Sequence, residues 1–220
     1  MLLDHATLKL RQREERDNYP TNMSLRVHRA LSWLDRAEQC EDDDDARFLF
    51  LWISFNAAYA NEILDQERAP EQKLFEMFLK KLVDMDKDDV LYELIWTEFS
   101  TSIRVLLDNQ YVFQPFWDFQ NGKISEDQWK DRFDSAKAAA SRALGNHRTI
   151  AVLSIILSRM YTLRNQIIHG GATWNSRVNR AQLRDCSAFL GKLVPFIIKL
   201  MMDNPNALWG KACYPVVDAT

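Results

Sequence analysis

The sequence of 220 residues contains few residues that break helices or build turns, with only six glycines and six prolines. A sheet protein of this length would need many more turn residues between its strands. The glycines and prolines fall mostly between stretches of helical periodicity, which predicts an almost entirely α-helical chain. Apolar residues make up 47% of the chain and charged residues 27%. This composition is typical of a globular protein and argues against a disordered one.

Cysteine is also scarce. Cys40, Cys186 and Cys213 are widely spaced and form no Cys-x-x-Cys pair, which argues against a zinc ribbon or a thioredoxin-type site. Reduced thiols in the cytosol are the expectation. The sequence has no glycine-rich phosphate loop, no His-Glu-x-x-His motif and no nucleophile elbow. We therefore expect neither a metal nor a cofactor.

Long apolar runs are absent. The run at 193–202 is interrupted by Lys199 and is too short to span a bilayer, and residues 1–10 lack the apolar region of a signal peptide. We expect a cytoplasmic protein with no membrane partner. The net charge of −3, from 28 basic and 31 acidic residues, is not that of a strongly nucleic-acid-binding domain. Any contact with RNA would therefore need a local basic patch.

The first half of the chain predicts a helical bundle. Residues 1–20 read as a polar N-terminal arm or exposed helix, and core helices are predicted at about 24–40, 45–66, 70–82 and 88–107. The second of these is apolar nearly all the way round, as expected of a central helix, and its Asn56 needs a hydrogen-bond partner if it is buried. The acidic run at 41–45 is expected to complement the start of this helix, and its spacing does not suit a metal site.

The aromatic-rich stretch 109–144 predicts two short helices, broken at Asn121-Gly122, that pack as an insertion on the main bundle. Its rings are expected to pack together and not to form a base-stacking platform. Two long helices follow, at about 146–169, ended by Gly170-Gly171, and at about 178–203. Residues 204–220 form an irregular tail. No repeat or linker marks a domain boundary, so the prediction is one domain over 1–220.

The helix before Gly170 carries the candidate site. Asn165 and His169 are four residues apart and share one face, while Arg164 lies at the edge of the apolar side, where an arginine must be paired or reach outward. The helix dipole favours an imidazolium at His169, which suits a group that transfers protons. The spacing alone leaves open a structural interpretation, in which His169 only caps the last carbonyls. The residues predicted to face the core are Leu153, Ile156, Leu157, Met160, Leu163 and Ile167; those predicted to face away are Ser154, Ser158, Thr162, Asn165 and His169.

The segment Arg164-Asn165-Gln166-Ile167-Ile168-His169 resembles the signature of the HEPN superfamily. In that signature an arginine is followed by a polar residue, often asparagine, and a few positions later by a histidine, near the end of a long helix in an all-α bundle. Residues 52–59, which include Asn56, are similar to the aromatic core helix of several HEPN families. The resemblance covers about 24–203 in architecture, but only these two segments in residue detail. It implies a HEPN-like bundle with an additional helical insertion at 109–144.

The resemblance also implies a function. HEPN proteins that are enzymes are metal-independent endoribonucleases, and two copies of the motif typically meet across a homodimer. By this resemblance His169 would move the protons of the ribose 2′-hydroxyl or the leaving 5′-oxygen, and Arg164 would stabilise charge on the scissile phosphate. Asn165 would orient the histidine or the phosphate, and Asn56 would support the site. Many family members are toxins or act in phage defence, which would add an antitoxin or regulatory protein as a partner.

A weaker feature follows the motif. Arg177, Arg180 and Arg184 stand at helical spacing, which predicts a stripe for RNA phosphates, although a solvated basic face has the same pattern. Two other functions remain open. A catalytically inactive HEPN-like module for binding or dimerisation would have no need of the whole motif. An unrelated helical adaptor would use its aromatic surface for protein contacts, and a monomer in solution would favour it, because the composite site requires two chains. The motif favours the ribonuclease.

Overall fold

The computed structural model describes residues 3–59, 71–177 and 179–214, and the side chains of 71–74 are not among those described. These residues form ten α-helices and no strand, which confirms the predicted all-α class. No helix in these ranges is both long enough and apolar enough to cross a membrane. The helices are α1 (His5–Glu15), α2 (Thr21–Glu38), α3 (Asp44–Tyr59), α4 (Glu71–Met85), α5 (Val90–Glu93), α6 (Ser100–Asp108), α7 (Gln114–Gln120), α8 (Glu126–Gly145), α9 (Thr149–Ile168) and α10 (Arg180–Asp203).

The chain divides into two compact units. The first contains residues 1–78 and 190–220, and the second contains residues 79–189. Helices α4 and α10 therefore contribute residues to both units. The motif of Arg164, Asn165 and His169 belongs to the second unit, and Asn56 belongs to α3 of the first.

The first unit is built on α2 and α3, which pack along their lengths. Helix α3 is apolar on most of its circumference, and its rings Phe48 and Phe55 are fully buried, as expected of a central helix. Burying each ring contributes about 1.5–3 kcal/mol. Asn56 is only half-buried, so the hydrogen bond that full burial would require is not needed. The prediction extended this helix to about 66, and residues 60–70 lie outside the described ranges.

The acidic run acts as the start of α3, as predicted. The Asp43 side chain accepts a hydrogen bond from the Ala46 N–H at 3.0 Å, and Asp44 and Asp45 occupy the first turn. Their negative charges complement the positive end of the helix dipole.

The C-terminal segment is irregular up to residue 214, as predicted, and is fixed to α2 by two arginines; residues 215–220 lie outside the described ranges. Arg26 is buried and donates to the carbonyl oxygens of Ala58 at 2.8 Å and Lys211 at 2.7 Å. Arg29, one turn later, donates to the carbonyl of Cys213 at 2.6 Å. Burial lowers the pKa of Arg26, because the charged form loses its hydration.

The second unit departs from prediction where one helix was expected at 88–107. Helix α5 passes into a π-helical turn, Leu94–Glu98, and α6 begins only after Phe99. The rings of Tyr92 and Trp96 stack at 4.8 Å, and Trp96 Nε1 donates to the Leu144 carbonyl at 3.3 Å. Because the hydrogen bond from Trp96 to Leu144 is tertiary, the local 3.6-residue periodicity did not indicate the irregular turn.

The aromatic stretch 109–144 forms two helices broken at Asn121-Gly122, as predicted, but the second of them, α8, has 20 residues and is not short. Gly122 has a φ of +70°, which suits a residue without a Cβ. Phe116 packs edge-on against Trp129 at 5.3 Å, so these rings serve packing, as expected. Ser125 and Gln128 form a capping box that begins α8.

We predict that Arg26→Ala lowers the free energy of unfolding by about 3 kcal/mol, because two buried carbonyls lose a charged donor. Equilibrium unfolding in urea measures this change, and limited proteolysis should show faster cleavage after residue 204. The control is Arg36→Ala, which alters an exposed arginine of the same helix and should change stability by less than about 1 kcal/mol. Equal stability of the two variants would contradict this role of Arg26.

Candidate functional site

Helix α9 presents the sides that its periodicity predicts, with two differences. Five of the six residues predicted to face the core are buried, and Ile167 is half-buried. On the predicted polar side Thr162 is buried, and its hydroxyl is satisfied by donating to the carbonyl of Ser158 within the helix. Ser158 itself and His169 are exposed.

Arg164 and Asn165 form one polar unit. The Arg164 Nη1 donates to Asn165 Oδ1 at 2.9 Å, and the Tyr161 ring centre lies 5.8 Å from the guanidinium carbon. The Nε of Arg164 is buried and has no hydrogen-bond partner among the described residues. A buried N–H without an acceptor costs about 1–3 kcal/mol, and an oxygen of a bound anion would remove that cost. The Arg164 guanidinium is therefore fixed in position, and its Nε–H can still donate to a bound anion.

His169 ends α9 at an exposed position. Its backbone N–H donates to the Asn165 carbonyl at 3.0 Å, and its ring makes no hydrogen bond or ion pair with any described residue. The next two residues form the Schellman motif that the Gly-Gly pair predicted: Gly170 N donates to Ile167 O at 3.1 Å, and Gly171 N to Gln166 O at 2.7 Å. The imidazole is thus presented to solvent at the end of the helix.

Both glycines are needed for this cap. Gly170 has a φ of +69°, a conformation that costs a residue with a side chain about 1–2 kcal/mol. A Cβ at Gly171 would lie 3.1 Å from the Gln166 carbonyl oxygen, which is tighter than ordinary contact. The sequence Gly170-Gly171 therefore fixes where α9 ends and where His169 lies.

A closed ring of amide hydrogen bonds adjoins the motif, and no local sequence pattern predicts it. Gln166 donates through Nε2 to the Tyr111 carbonyl and accepts through Oε1 from Asn179 Nδ2 at 3.2 Å. Asn179 Oδ1 accepts from Asn109 Nδ2 at 3.4 Å, and Asn109 Oδ1 accepts from the Tyr111 N–H at 2.8 Å. The ring joins the end of α9 to the segment before α7 and to the start of α10. Gln166 is thus committed to structure and not to chemistry.

The predicted arginine stripe is only partly helical. Helix α10 begins at Arg180, so Arg177 lies in the connection before it, and only Arg180 and Arg184 share a helical face. The prediction began this helix at Val178, which lies outside the described residues. The prediction failed at its first arginine because Asn179 has a φ of +57°, which is incompatible with a continuous helix through 177. Arg184 also pairs with Asp185 at 3.6 Å.

Arg159, another residue that the sequence analysis missed, fixes α9 to the aromatic segment. Its guanidinium carbon lies 4.3 Å from the centre of the Phe113 ring and 5.7 Å from that of Phe133. The side chain is buried, and its Nη1 has no hydrogen-bond partner among the described residues. Burial lowers the pKa of Arg159 to about 10, so it remains charged at pH 7. Cation–π contacts offset part of this desolvation.

Charge is unevenly distributed along the chain, and the net charge conceals it. Residues 135–184 contain eight of the 28 basic residues and none of the 31 acidic ones. This segment covers most of α8, all of α9 and the start of α10, and it contains the whole motif. A count by segment would have found the local basic region that the whole-chain total hides.

Comparisons with protein-family models, curated proteins and solved structures found no match to this chain. The family resemblance of the motif thus remains a prediction.

The chemistry of the site is that of a cation and an imidazole. Among the described residues, no group of three or more His, Cys, Asp or Glu side chains is placed to hold a metal ion. The site offers a fixed guanidinium, a neutral amide and an exposed imidazole. These groups can bind an oxyanion and move protons beside it.

We predict that Gln166→Ala lowers the free energy of unfolding by about 1–3 kcal/mol, because it opens the amide ring at two bonds. Hydrogen exchange should become faster at the backbone amides of 170–177. Gln120→Ala, at an exposed position of α7, is the matched control and should leave both measurements unchanged. Unchanged exchange in Gln166→Ala would show that the ring does not hold this loop.

Proposed function

We propose that this protein is a metal-independent endoribonuclease of the HEPN type, with a HEPN-like helical bundle and Arg164, Asn165 and His169 as its active-site residues. One observation carries the proposal. The Arg164 guanidinium is fixed by Asn165 and has a buried N–H without a partner among the described residues, and the exposed His169 follows five residues later at the end of the same helix. Such a pair matches what cleavage beside a phosphate requires.

The distribution of charge supports RNA as the substrate. The motif lies within 50 residues that contain no acidic side chain, so a phosphate backbone meets no repulsion from this part of the chain. Arg177 is exposed next to the motif in sequence, and Arg180 and Arg184 follow it on α10. We assign these three arginines to contacts with RNA phosphates on either side of the cleaved bond.

The proposed reaction is a transesterification. The ribose 2′-oxygen attacks the phosphorus, its proton passes to a base, and the bond from phosphorus to the 5′-oxygen breaks as that oxygen takes a proton. The products are a 2′,3′-cyclic phosphate and a 5′-hydroxyl. The base and the acid act on opposite sides of the phosphorus, so a site with one His169 lacks one of the two.

A homodimer would supply the second imidazole, and α9 has a surface suited to it. Tyr161 and Ile168 share a helical face with Arg164 and Asn165, at spacings of three, four and seven residues. The two apolar side chains are 50% and 47% exposed. Burying them against a second copy would bring two motifs together while removing apolar surface from water.

We predict RNA cleavage by the wild-type protein in the presence of EDTA, leaving cyclic-phosphate ends. His169→Ala should lower the rate about 10²- to 10⁴-fold, because general acid–base catalysis is lost. Arg164→Ala should lower it about 10²- to 10³-fold, because a charge-stabilising donor is lost.

Arg132→Ala, at an exposed position of α8 outside the acid-free segment, is the control and should retain activity. Equal activity in all the variants would place the cleavage elsewhere. A folded dimer without activity on any RNA would leave a binding and dimerisation module as the function.

We also predict that Ile168→Glu weakens self-association, because it places a charge in the proposed apolar interface. Sedimentation velocity over a range of concentrations measures the change. Leu10→Glu, which alters an exposed leucine of α1, is the control and should not affect association. A wild-type protein that is monomeric at all concentrations would exclude the composite site.

A toxin or defence role is a further part of this proposal. Expression of the wild type would then slow the growth of host cells, and expression of His169→Ala would not. A protein that restores growth by binding the wild type would be the expected antitoxin.

A further inference from the structure

The loop after α9 presents a tryptophan to solvent. Trp174 is 73% exposed, and the other aromatic side chains of the second unit that are largely exposed are Tyr111 at 44% and Tyr161 at 50%. All three adjoin the motif: Tyr161 contacts Arg164, Tyr111 accepts from Gln166, and Trp174 follows His169 by five residues. Five residues span at most about 17 Å, so Trp174 lies within reach of nucleotides that flank a bond held at His169.

The loop that carries Trp174 is held at both ends. At its start, Gly171 N donates to the Gln166 carbonyl, and beyond its end Asn179 Nδ2 donates to the Gln166 side chain at 3.2 Å. Within it, Asn175 has a φ of +54°, a conformation that asparagine tolerates better than most residues. The Ser176 N–H donates to the Thr173 carbonyl at 3.1 Å and closes a turn around the tryptophan. The ring is thus presented by a defined loop.

The neighbours of Trp174 indicate what the ring would contact. The segment 170–177 reads Gly-Gly-Ala-Thr-Trp-Asn-Ser-Arg, so one large apolar side chain stands among small and polar residues and one cation. A protein partner would favour a contiguous apolar patch, which this loop does not offer. An exposed ring followed three residues later by an arginine is a combination by which proteins bind single-stranded nucleic acids. The absence of acidic residues from 135–184 favours the same ligand.

We propose that Trp174 stacks on an unpaired base of the RNA and that Arg177 contacts the adjoining phosphate, so that the substrate of the site is single-stranded RNA. The inference rests on the proposed function and specifies its substrate class. A ring of this size has access only to a base outside a helix, because bases within an A-form duplex stack on one another and the major groove is deep and narrow.

The test measures binding apart from cleavage. In a His169→Ala background, fluorescence anisotropy compares a short labelled single-stranded oligoribonucleotide with the same strand annealed to its complement. Trp174→Ala should weaken binding of the single strand roughly 5- to 150-fold, which corresponds to the loss of one stacked base. Trp174→Phe should restore most of the affinity, and binding of the duplex should be unaffected by either change. Arg177→Ala should reduce the salt slope by about one.

Several results would overturn the inference. These are equal binding of the single strand by Trp174→Ala and its parent, an equal loss for single strand and duplex, or no binding of the single strand by the parent. A change in oligomeric state in Trp174→Ala would instead assign the ring to a protein interface. Equal unfolding temperatures of the variants, measured alongside, would separate an effect on binding from an effect on folding.

The two proposals can fail separately. Cleavage by the wild type that Trp174→Ala leaves unchanged would contradict the stacking site and retain the ribonuclease. Binding of single strands that depends on Trp174, without cleavage by the wild type, would retain the stacking site and contradict the ribonuclease.

Discussion

The hydrogen bonds that end α9 are the constraint on which the rest of the candidate site depends. Gly170 and Gly171 turn the chain at one defined residue, and His169 becomes the last residue before that turn. If the helix continued, His169 would lie within the helix and not at its end. Because the helix stops, the imidazole lies at an exposed end of α9.

Gln166 connects this cap to the surroundings of the motif. Its backbone carbonyl accepts the bond from Gly171, and its side chain bonds with Tyr111 and Asn179. One residue therefore sets both the end of the helix and the path of the chain that follows. Its position inside the motif is explained by this structural role.

The features predicted from sequence are those with a local, repeating cause. The apolar side of α9, its end at Gly170 and the acidic start of α3 depend on residues within one or two turns of each other. These signals placed the start of α9 within three residues and its end within one. They also placed Arg164 beside Asn165, since neighbours in sequence need no tertiary information to meet.

The features that sequence reasoning missed depend on distant residues. Arg159 meets Phe113 across 46 positions, and Gln166 meets Tyr111 across 55. The helical periodicity around Arg159 and Gln166 does not indicate which distant residues they contact. The π-helical turn at Leu94–Glu98 is of the same kind, since its Trp96 ring packs against His147 of the α8–α9 turn at 5.2 Å. The basic segment 135–184 was missed for another reason: the net charge of the whole chain includes the acidic residues elsewhere, which cancel its positive charge.

The amide ring around Gln166 has a consequence for how the site responds to its medium. Each of its bonds joins two uncharged groups, so neither protonation nor added salt weakens them directly. The loop that bears Trp174 and Arg177 should keep its geometry over a wide range of buffers. Solution conditions that alter the behaviour of this site would then report on the bound molecule and on the charged groups that touch it, and not on the scaffold.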